Sequence, residues 1–473
     1  MLQHIVPASG LLFTLENILW INIGVFIGSV FAAIPGLSVI LCVILFLPVT
    51  YSMTAIPGMM FLLGIYCAGG YGGSVSAILI NTPGTPHAAA TMLDGHPLSE
   101  QGRTKAALKI ALYASTFGGI FSALMLLFLG PQVAKVAAQL GTAEYFMVCV
   151  FGLTIIAGVS GKSMIKGLIS ACLGLLISCV GSDPMTSYDR FTFGIPRLYL
   201  GLDLAICLIG LFALVEILAK AEKKPGSLNL DARKIKDDGV ITKDEYKRLV
   251  RPTIISSIIG VMVGIIPGTG ASEASWFSYN TAKNMSKHRE EFGHGSVEGI
   301  AAAESANNAV TGATLIPLLT LGIPGDGTVA IMLGLILVNL FMLLQGKFLT
   351  SLFAKVVSIP QEILTPIIVI FCFAGAFSVN ENYFDVGVAL IFGILAWVLR
   401  KLELPPVPIL LGLVLGSMTE TNFRRALLIS NGSPGIFFSS AYCIIFLILI
   451  IAAVGTIVRG KVLERRAAAK KED

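Results

Sequence analysis

Four short segments of the chain set a Pro-Gly pair beside hydroxyl, amide or carboxyl side chains. They are Pro35-Gly36-Leu37-Ser38, Asn81-Thr82-Pro83-Gly84-Thr85, Pro267-Gly268-Thr269-Gly270-Ala271-Ser272 and Pro324-Gly325-Asp326-Gly327-Thr328. Proline and glycine interrupt helices. A broken helix exposes N–H groups at the start of one half and carbonyls at the end of the other. The first end suits an anion and the second a cation. No segment contains lysine or arginine, so an anion there is held by neutral dipoles, and co-bound cations supply the positive charge. The oxygens of Asn81, Thr82, Asn308 and Thr328 suit Na⁺ as such a coupling ion, while Glu304 or Asp326 would serve a proton instead.

A polar stripe adds to these breaks. Glu304, Asn307, Asn308 and Thr311 stand at i, i+3, i+4 and i+7 of a run otherwise made of Ala, Gly and Val. That spacing puts all four on one helical face. Glu290, Glu291 and His294 lie close by, which is what a face turned to a loop or headgroup region would also show. An ionisable side chain inside an apolar run is nonetheless a functional candidate, and the site reading is preferred.

The elements that must position these residues are membrane helices. Of 473 residues, 55% are hydrophobic and 13% charged, and mean hydropathy is +0.84. Soluble domains carry roughly 25% charged residues. Apolar runs recur along the chain, and counting them between polar breaks gives about ten to twelve crossings, some re-entrant. Soluble enzymes, nucleic-acid-binding proteins and disordered scaffolds are excluded; the net charge of +5 sits in loops and tail. The eight cysteines form no C-x-x-C pair, which argues against zinc or thiol chemistry; no cofactor is expected. Leu19 to Ile34 runs straight into Pro35 and reads as a first span, not a cleavable signal.

One polar break dominates. Between Lys220 and Arg251, 16 of 32 residues are charged, ten of them basic. The positive-inside rule places this stretch in the cytoplasm, with the basic tail 459–473. It divides a first membrane repeat, 1–219, from a second, 252–458. The repeat is visible in Ile27-Gly28 to Pro35-Gly36 against Ile259-Gly260 to Pro267-Gly268, which match at five of ten positions. Asn81 to Gly84 likewise aligns with Gly322 to Gly325. Interrupted segments at corresponding positions of two halves point to a transporter's binding site.

Other motifs fail. Gly161-Lys162-Ser163 lacks the first glycine of a phosphate loop, Ile156 standing in its place. Gly158-Val159-Ser160-Gly161 resembles an intramembrane serine protease motif, but the histidines all lie near breaks or loops, away from a neighbouring helix. An intramembrane enzyme is the remote reading.

Residues 71–108 (YGGSVSAILINTPGTPHAAATMLDGHPLSEQGRTKAAL) and 298–334 (EGIAAAESANNAVTGATLIPLLTLGIPGDGTVAIMLG) resemble the signature regions of the tripartite tricarboxylate transporter large membrane subunit. RFTFGIPRLYLGLDL, LIGLFALVEIL and NFRRALLIS fit the same family, so the resemblance spans nearly the whole chain. Ala303 departs from the proline expected before Glu304. The resemblance implies an all-α polytopic secondary transporter of a bacterial inner membrane, with inverted repeats and re-entrant hairpins. It also implies a small membrane subunit and a periplasmic solute-binding protein as partners, and a carboxylate as substrate. A stand-alone ion-coupled transporter using the same broken helices is the alternative.

Overall fold

A computed structural model describes residues 2–34, 37–137, 139–159, 164–222, 239–265, 270–316, 326–356 and 361–455. Among them the chain is helical, with one two-residue antiparallel hairpin, Gly181–Ser182 against Asp189–Arg190. The helices are α1 (Leu2–Leu12), α2 (Leu15–Ala33), α3 (Val39–Thr50), α4 (Ala55–Ile80), α5 (Ala88–Glu100), α6 (Thr104–Ala137), α7 (Thr142–Val159), α8 (Met164–Ser178), α9 (Leu204–Leu208) and α10 (Val215–Ala221). They continue as α11 (Lys243–Ile265), α12 (Ala271–Met285), α13 (Val297–Ala313), α14 (Asp326–Val356), α15 (Gln361–Asn380), α16 (Tyr383–Lys401) and α17 (Pro406–Ile429).

The all-α polytopic class is the one the chain adopts. Among the described residues, six helices are long and apolar enough to cross a membrane: Leu15–Ala33, Ala55–Ile80, Thr104–Val133, Lys243–Ile265, Val329–Leu349 and Tyr383–Lys401. Six more apolar helices of 10–17 residues, such as Val39–Thr50, fall short of the roughly 20 residues a span needs. Short pieces next to Pro-Gly breaks are what interrupted helices produce.

Two boundaries differ from the sequence reading. The first long helix starts at Leu15 rather than Leu19, because Thr14 caps it by accepting the Asn17 N–H at 3.2 Å. The charged stretch 220–251 does not end as a loop, since α11 already begins at Lys243. Thr242 and Glu245 form a reciprocal capping box there: the Thr242 N–H donates to Glu245 at 2.8 Å, and the Glu245 N–H donates to the Thr242 hydroxyl at 3.2 Å. The box satisfies donors that the first helical turn leaves free.

The chain forms two compact units, Met1–Ala137 with Ala221–Glu381 and Ala138–Lys220 with Asn382–Asp473. Each takes one segment from either side of the charged loop. In the first unit, α2 packs on α4 and α11 packs on α13. The matched breaks equate Gly28 with Gly260, and Ile65 with Ala306. A Cβ on Gly28 would lie 2.3 Å from the Ile65 carbonyl oxygen; one on Gly260 would lie 2.5 Å from that of Ala306. Nearby, Gly72 faces the Ala32 methyl while Gly264 faces the Ala313 methyl, so glycine and alanine exchange sides between the two pairs. The same close helix crossing is built twice. Where α4 and α13 touch they run antiparallel, Gly70 facing Asn308 and Ser74 bonding Glu304.

In the second unit, α8 and α17 cross closely, Gly174 lying against Ile409 and Gly412 against Ala171. Phe146, Phe423 and Phe437 pack beside them. A charge cluster ties the hairpin to α17: Arg424 donates to Asp183 at 2.6 Å and to Glu420 at 3.0 Å, and Arg190 donates to Glu420 at 2.8 Å. The Arg424 guanidinium and the Met185 N–H hold the Asp183 carboxyl well below the ordinary carboxylate range.

Two outcomes test this packing. Gly28→Val and Gly260→Val should each lower the melting temperature strongly or prevent folding, since backbone oxygens block the new side chain and overpacking costs roughly 1–3 kcal/mol or more; fluorescence-detected size exclusion with a thermal ramp reads it. A carboxyl with a lowered pKa contributes stability that is present above its unfolded pKa and lost as pH falls through the folded one. Asp183→Asn should therefore melt below wild type at neutral pH, with the gap closing as pH drops through and below about 4.

Candidate functional site

Glu304 is the centre of the first unit. Its side chain is fully buried and accepts three hydroxyl hydrogen bonds from three other helices. Ser74 of α4 and Thr91 of α5 donate to Oε1, and Ser115 of α6 donates to Oε2 at 2.6 Å. Among the described residues no lysine, arginine or histidine pairs with it. An ion without a counter-ion is costly in such a place, and charged-to-neutral hydrogen bonds offset only part of that cost.

The break after α4 supplies the geometry. Asn81 ends α4 in the left-handed conformation, at φ 53°. The chain then runs back along α4 in irregular backbone, and the Gly84 N–H donates to the Gly73 carbonyl at 3.1 Å. Buried irregular backbone is tolerated at membrane depth only inside protein, and here glycines make the room. A Cβ on Gly73 would lie 2.2 Å from the Thr85 hydroxyl, and one on Gly84 2.1 Å from the Ala32 carbonyl, just ahead of Pro35. The segment before Pro35 and the second break therefore adjoin. Helix α5 then rises beside α4, Gly95 against Ile78.

The α13 stripe points inward throughout. Asn307 donates to the Gly70 carbonyl at 3.3 Å, and the Thr311 hydroxyl donates to the Asn308 carbonyl at 2.6 Å. On α6, Ser115, Gly118, Gly119 and Ser122 form the facing stripe. Gly118 lies against the Ser305 carbonyl, and Ser122 accepts the Gly312 N–H at 3.2 Å. The start of α13 is fixed by Asp94, one turn beyond Thr91, which accepts the N–H groups of Gly293, Gly295 and Ser296 at 2.7, 3.1 and 2.9 Å. Ser296 caps the helix, accepting the Gly299 N–H at 3.2 Å. Arg248 donates to Glu298 at 2.9 Å and pairs with Glu291, which keeps those acids off the Glu304 layer.

The sequence-derived residues divide accordingly. Glu304, Asn307, Asn308, Thr311, Gly84 and Thr85 come together in one buried region. Asn81 is exposed and stands eleven residues along α4 from Gly70, about 16 Å at the helical rise. It does not reach Asn308, and Thr82 donates to the Ile80 carbonyl instead. Asn81, Thr82 and Asn308 thus form no common cation cage; Thr85 is the oxygen of this break that reaches the core. Ser38 caps α3, accepting the Leu41 N–H at 3.0 Å, and Gly270 caps α12, its N–H donating to Glu273, with Ser272 in the first turn. Pro35, Gly36, Pro267, Gly268, Thr269, Pro324 and Gly325 lie outside the described residues, as do the side chains of Asp326 and Thr328. The hydroxyls of Ser74, Thr91 and Ser115 were missed, and so was Asn339, a fully buried amide in the apolar α14. The S-x-x-G-G-x-x-S spacing of 115–122 was the legible signal for the α6 stripe.

Comparison with known proteins places the arrangement. Residues 18–338 and 331–411 match the model of the tripartite tricarboxylate transporter TctA family. An uncharacterized 52.8 kDa protein of the TAR-I ttuC' 3' region of Agrobacterium vitis is 35% identical, the match covering 89% of each chain. An uncharacterized protein of the TAR-II ttuC' 3' region of the same organism is 38% identical over 38% of this chain and 85% of its own length. No solved structure matches.

The hydroxyl cage gives a double-mutant test. Ser115→Ala leaves Oε2 without its donor and should cost about 1–3 kcal/mol of stability or more, the range for leaving a buried acceptor unsatisfied, which a charged group exceeds. In a Glu304→Gln background the same change should cost less than about 1 kcal/mol, because the carboxylate charge is gone. Equal costs in both backgrounds would mean that Ser115 acts by packing alone.

Proposed function

The chain belongs to the tripartite tricarboxylate transporter TctA family, and we propose that it is the large permease subunit of a binding-protein-dependent secondary transporter. It imports a di- or tricarboxylate across the bacterial inner membrane, coupled to cations, Na⁺ in preference to H⁺. A small membrane subunit and a periplasmic solute-binding protein complete the system. The observation that carries this reading is a fully buried carboxyl group with hydroxyl partners and, among the described residues, no paired base, beside a broken helix whose backbone folds back into the core. Such an arrangement is rich in oxygen acceptors, which suits cation cargo.

The energetics require that cargo. A dicarboxylate moves two negative charges against an inside-negative potential, which opposes uptake by about 4.6 kcal/mol per 100 mV. Two cations make the cycle neutral and three let the potential help. The antiparallel contact of α4 and α13 supports inverted halves, and the break segments 35–38, 81–85, 267–272 and 324–328 are read as the carboxylate and ion site they frame. The central loop and tail are assigned to the cytoplasm. Arg103, Lys109, Arg248 and Arg251 cluster towards the ends of α6 and α11 next to that loop, in keeping with the positive-inside rule.

Uptake of labelled carboxylate into proteoliposomes containing both membrane subunits, with the binding protein supplied, tests the proposal. Uptake should need a Na⁺ gradient, rise with a Hill slope near two or more, and vanish in Asn308→Leu although that protein folds and inserts. Concentrative uptake without any Na⁺ or proton gradient contradicts the coupling. Uptake that needs no binding protein favours a stand-alone transporter.

A further inference from the structure

We propose that Asn308 and Asn339 together bind a transported Na⁺ in the core layer between α4, α6, α13 and α14, with the Glu304 carboxylate supplying the compensating charge one turn away. The proposal rests on the transporter reading above; it adds a place for the cation and a second ligand that lies outside the sequence motifs.

Both amides are completely buried. On each, the nitrogen has a partner and the oxygen has none. Asn339 Nδ2 donates to the Leu335 carbonyl at 2.8 Å and Asn308 Nδ2 points at the Met342 sulfur at 3.7 Å, whereas among the described residues Asn308 Oδ1 and Asn339 Oδ1 meet no donor. Leaving one such acceptor unsatisfied is unfavourable enough that natural cores hold few of them. Two in one layer point to something that binds them.

The layer is built around these oxygens. A Cβ on Gly70 would lie 2.5 Å from Asn308 Oδ1, and one on Gly119 1.8 Å from Asn339 Oδ1. Only glycine at each place lets the amide oxygen sit where it does. Both asparagines adjoin the same stretch of α6, Asn339 at Gly119 and Asn308 at Ser122. Met342, one turn past Asn339, touches Asn308, and the Ser122 hydroxyl lies between the carbonyls of Gly119 and Asn308, at 3.0 and 3.4 Å. The Thr85 hydroxyl, also buried and unpartnered, stands across Gly73 in the same region and offers a third oxygen.

A water could donate to both amide oxygens, but it would do nothing for the charge of an ionised Glu304. Three hydroxyls already occupy the Glu304 oxygens, so the carboxylate acts on the layer through its field rather than by direct ligation. A cation does both jobs: it satisfies the orphaned oxygens and neutralises the buried charge. The oxygens offered as ligands are all hard donors, the Met342 sulfur facing Asn308 Nδ2 instead, and hard oxygens select an alkali cation over a transition metal.

The test uses the purified full chain in detergent, without substrate or partners. Binding of ²²Na⁺ is measured by scintillation proximity, and melting temperature is followed in NaCl against equal N-methyl-D-glucamine chloride. Wild type should bind ²²Na⁺ saturably and melt higher in NaCl. Asn308→Ala and Asn339→Ala should each weaken binding by about tenfold or more, while melting as wild type does without Na⁺. Asn339→Asp keeps an oxygen and should retain binding, which separates ligation from misfolding should the alanine variants prove unstable. Wild type that binds no ²²Na⁺ overturns the proposal in favour of water. Wild-type affinity in Asn339→Ala overturns the assigned ligand, and if uptake still requires Na⁺ the transporter reading stands without it. Saturable binding that depends on Asn339, in a protein whose uptake ignores Na⁺, supports the site and removes the coupling.

Discussion

A carboxyl group buried where four helices meet, with no base beside it among the described residues, is the constraint from which the rest of the first unit follows. Glu304 can stay there only if hydroxyls surround it, and those hydroxyls come from α4, α5 and α6 at once. Bringing three helices to one side chain demands close approach, which Gly70 allows between α4 and α13 and Gly118 between α6 and α13, within a glycine-rich stretch of α4. Val39, Asn308, Ser29 and Thr85 fill the places where Cβ atoms of Gly69, Gly70, Gly72 and Gly73 would stand. Small residues at helix contacts are how membrane proteins pack tightly without a hydrophobic driving force between helices. The glycine content of the chain therefore serves the polar core as well as the breaks.

The same economy explains why α5 is short and polar for a helix at this depth. Thr91 and Asp94 lie one turn apart and hold α13 at two points, Glu304 and the exposed N–H groups before Val297. Satisfying those amides with a carboxylate also satisfies the helix dipole. The clasp connects the segment after the second break to the helix that carries the stripe. A shift of α5 would move both Thr91 and Asp94 relative to α13.

Much of this was legible in the sequence, because periodicity and punctuation are local. The Glu304–Thr311 spacing fixed a face, and the matched Pro-Gly breaks located two pairs of equivalent helices whose close glycine contacts the structure repeats at Gly28 and Gly260. What stayed hidden is long-range. Nothing local says that Ser74, Thr91 and Ser115 point at one carboxylate 189 or more residues away, or that Asn81 ends outside the core while Thr85 enters it. The Thr242–Glu245 capping box was a local signal lost in charge density: a run rich in Lys and Asp reads as loop until its caps are counted. Ala303, in place of proline, leaves α13 an unbroken helix from Val297 through Glu304.

The central claim is that Glu304 works as a buried charge balanced by a metal cation rather than as a proton carrier. Infrared difference spectroscopy of the reconstituted protein, Na⁺ against K⁺ at fixed pH with Glu304→Gln as the assignment control, addresses it directly. The account predicts a carboxylate stretch that shifts on adding Na⁺, disappears in Glu304→Gln, and shows no protonated carboxyl band at the same residue. A protonated carboxyl band that vanishes in Glu304→Gln and is indifferent to Na⁺ would contradict it.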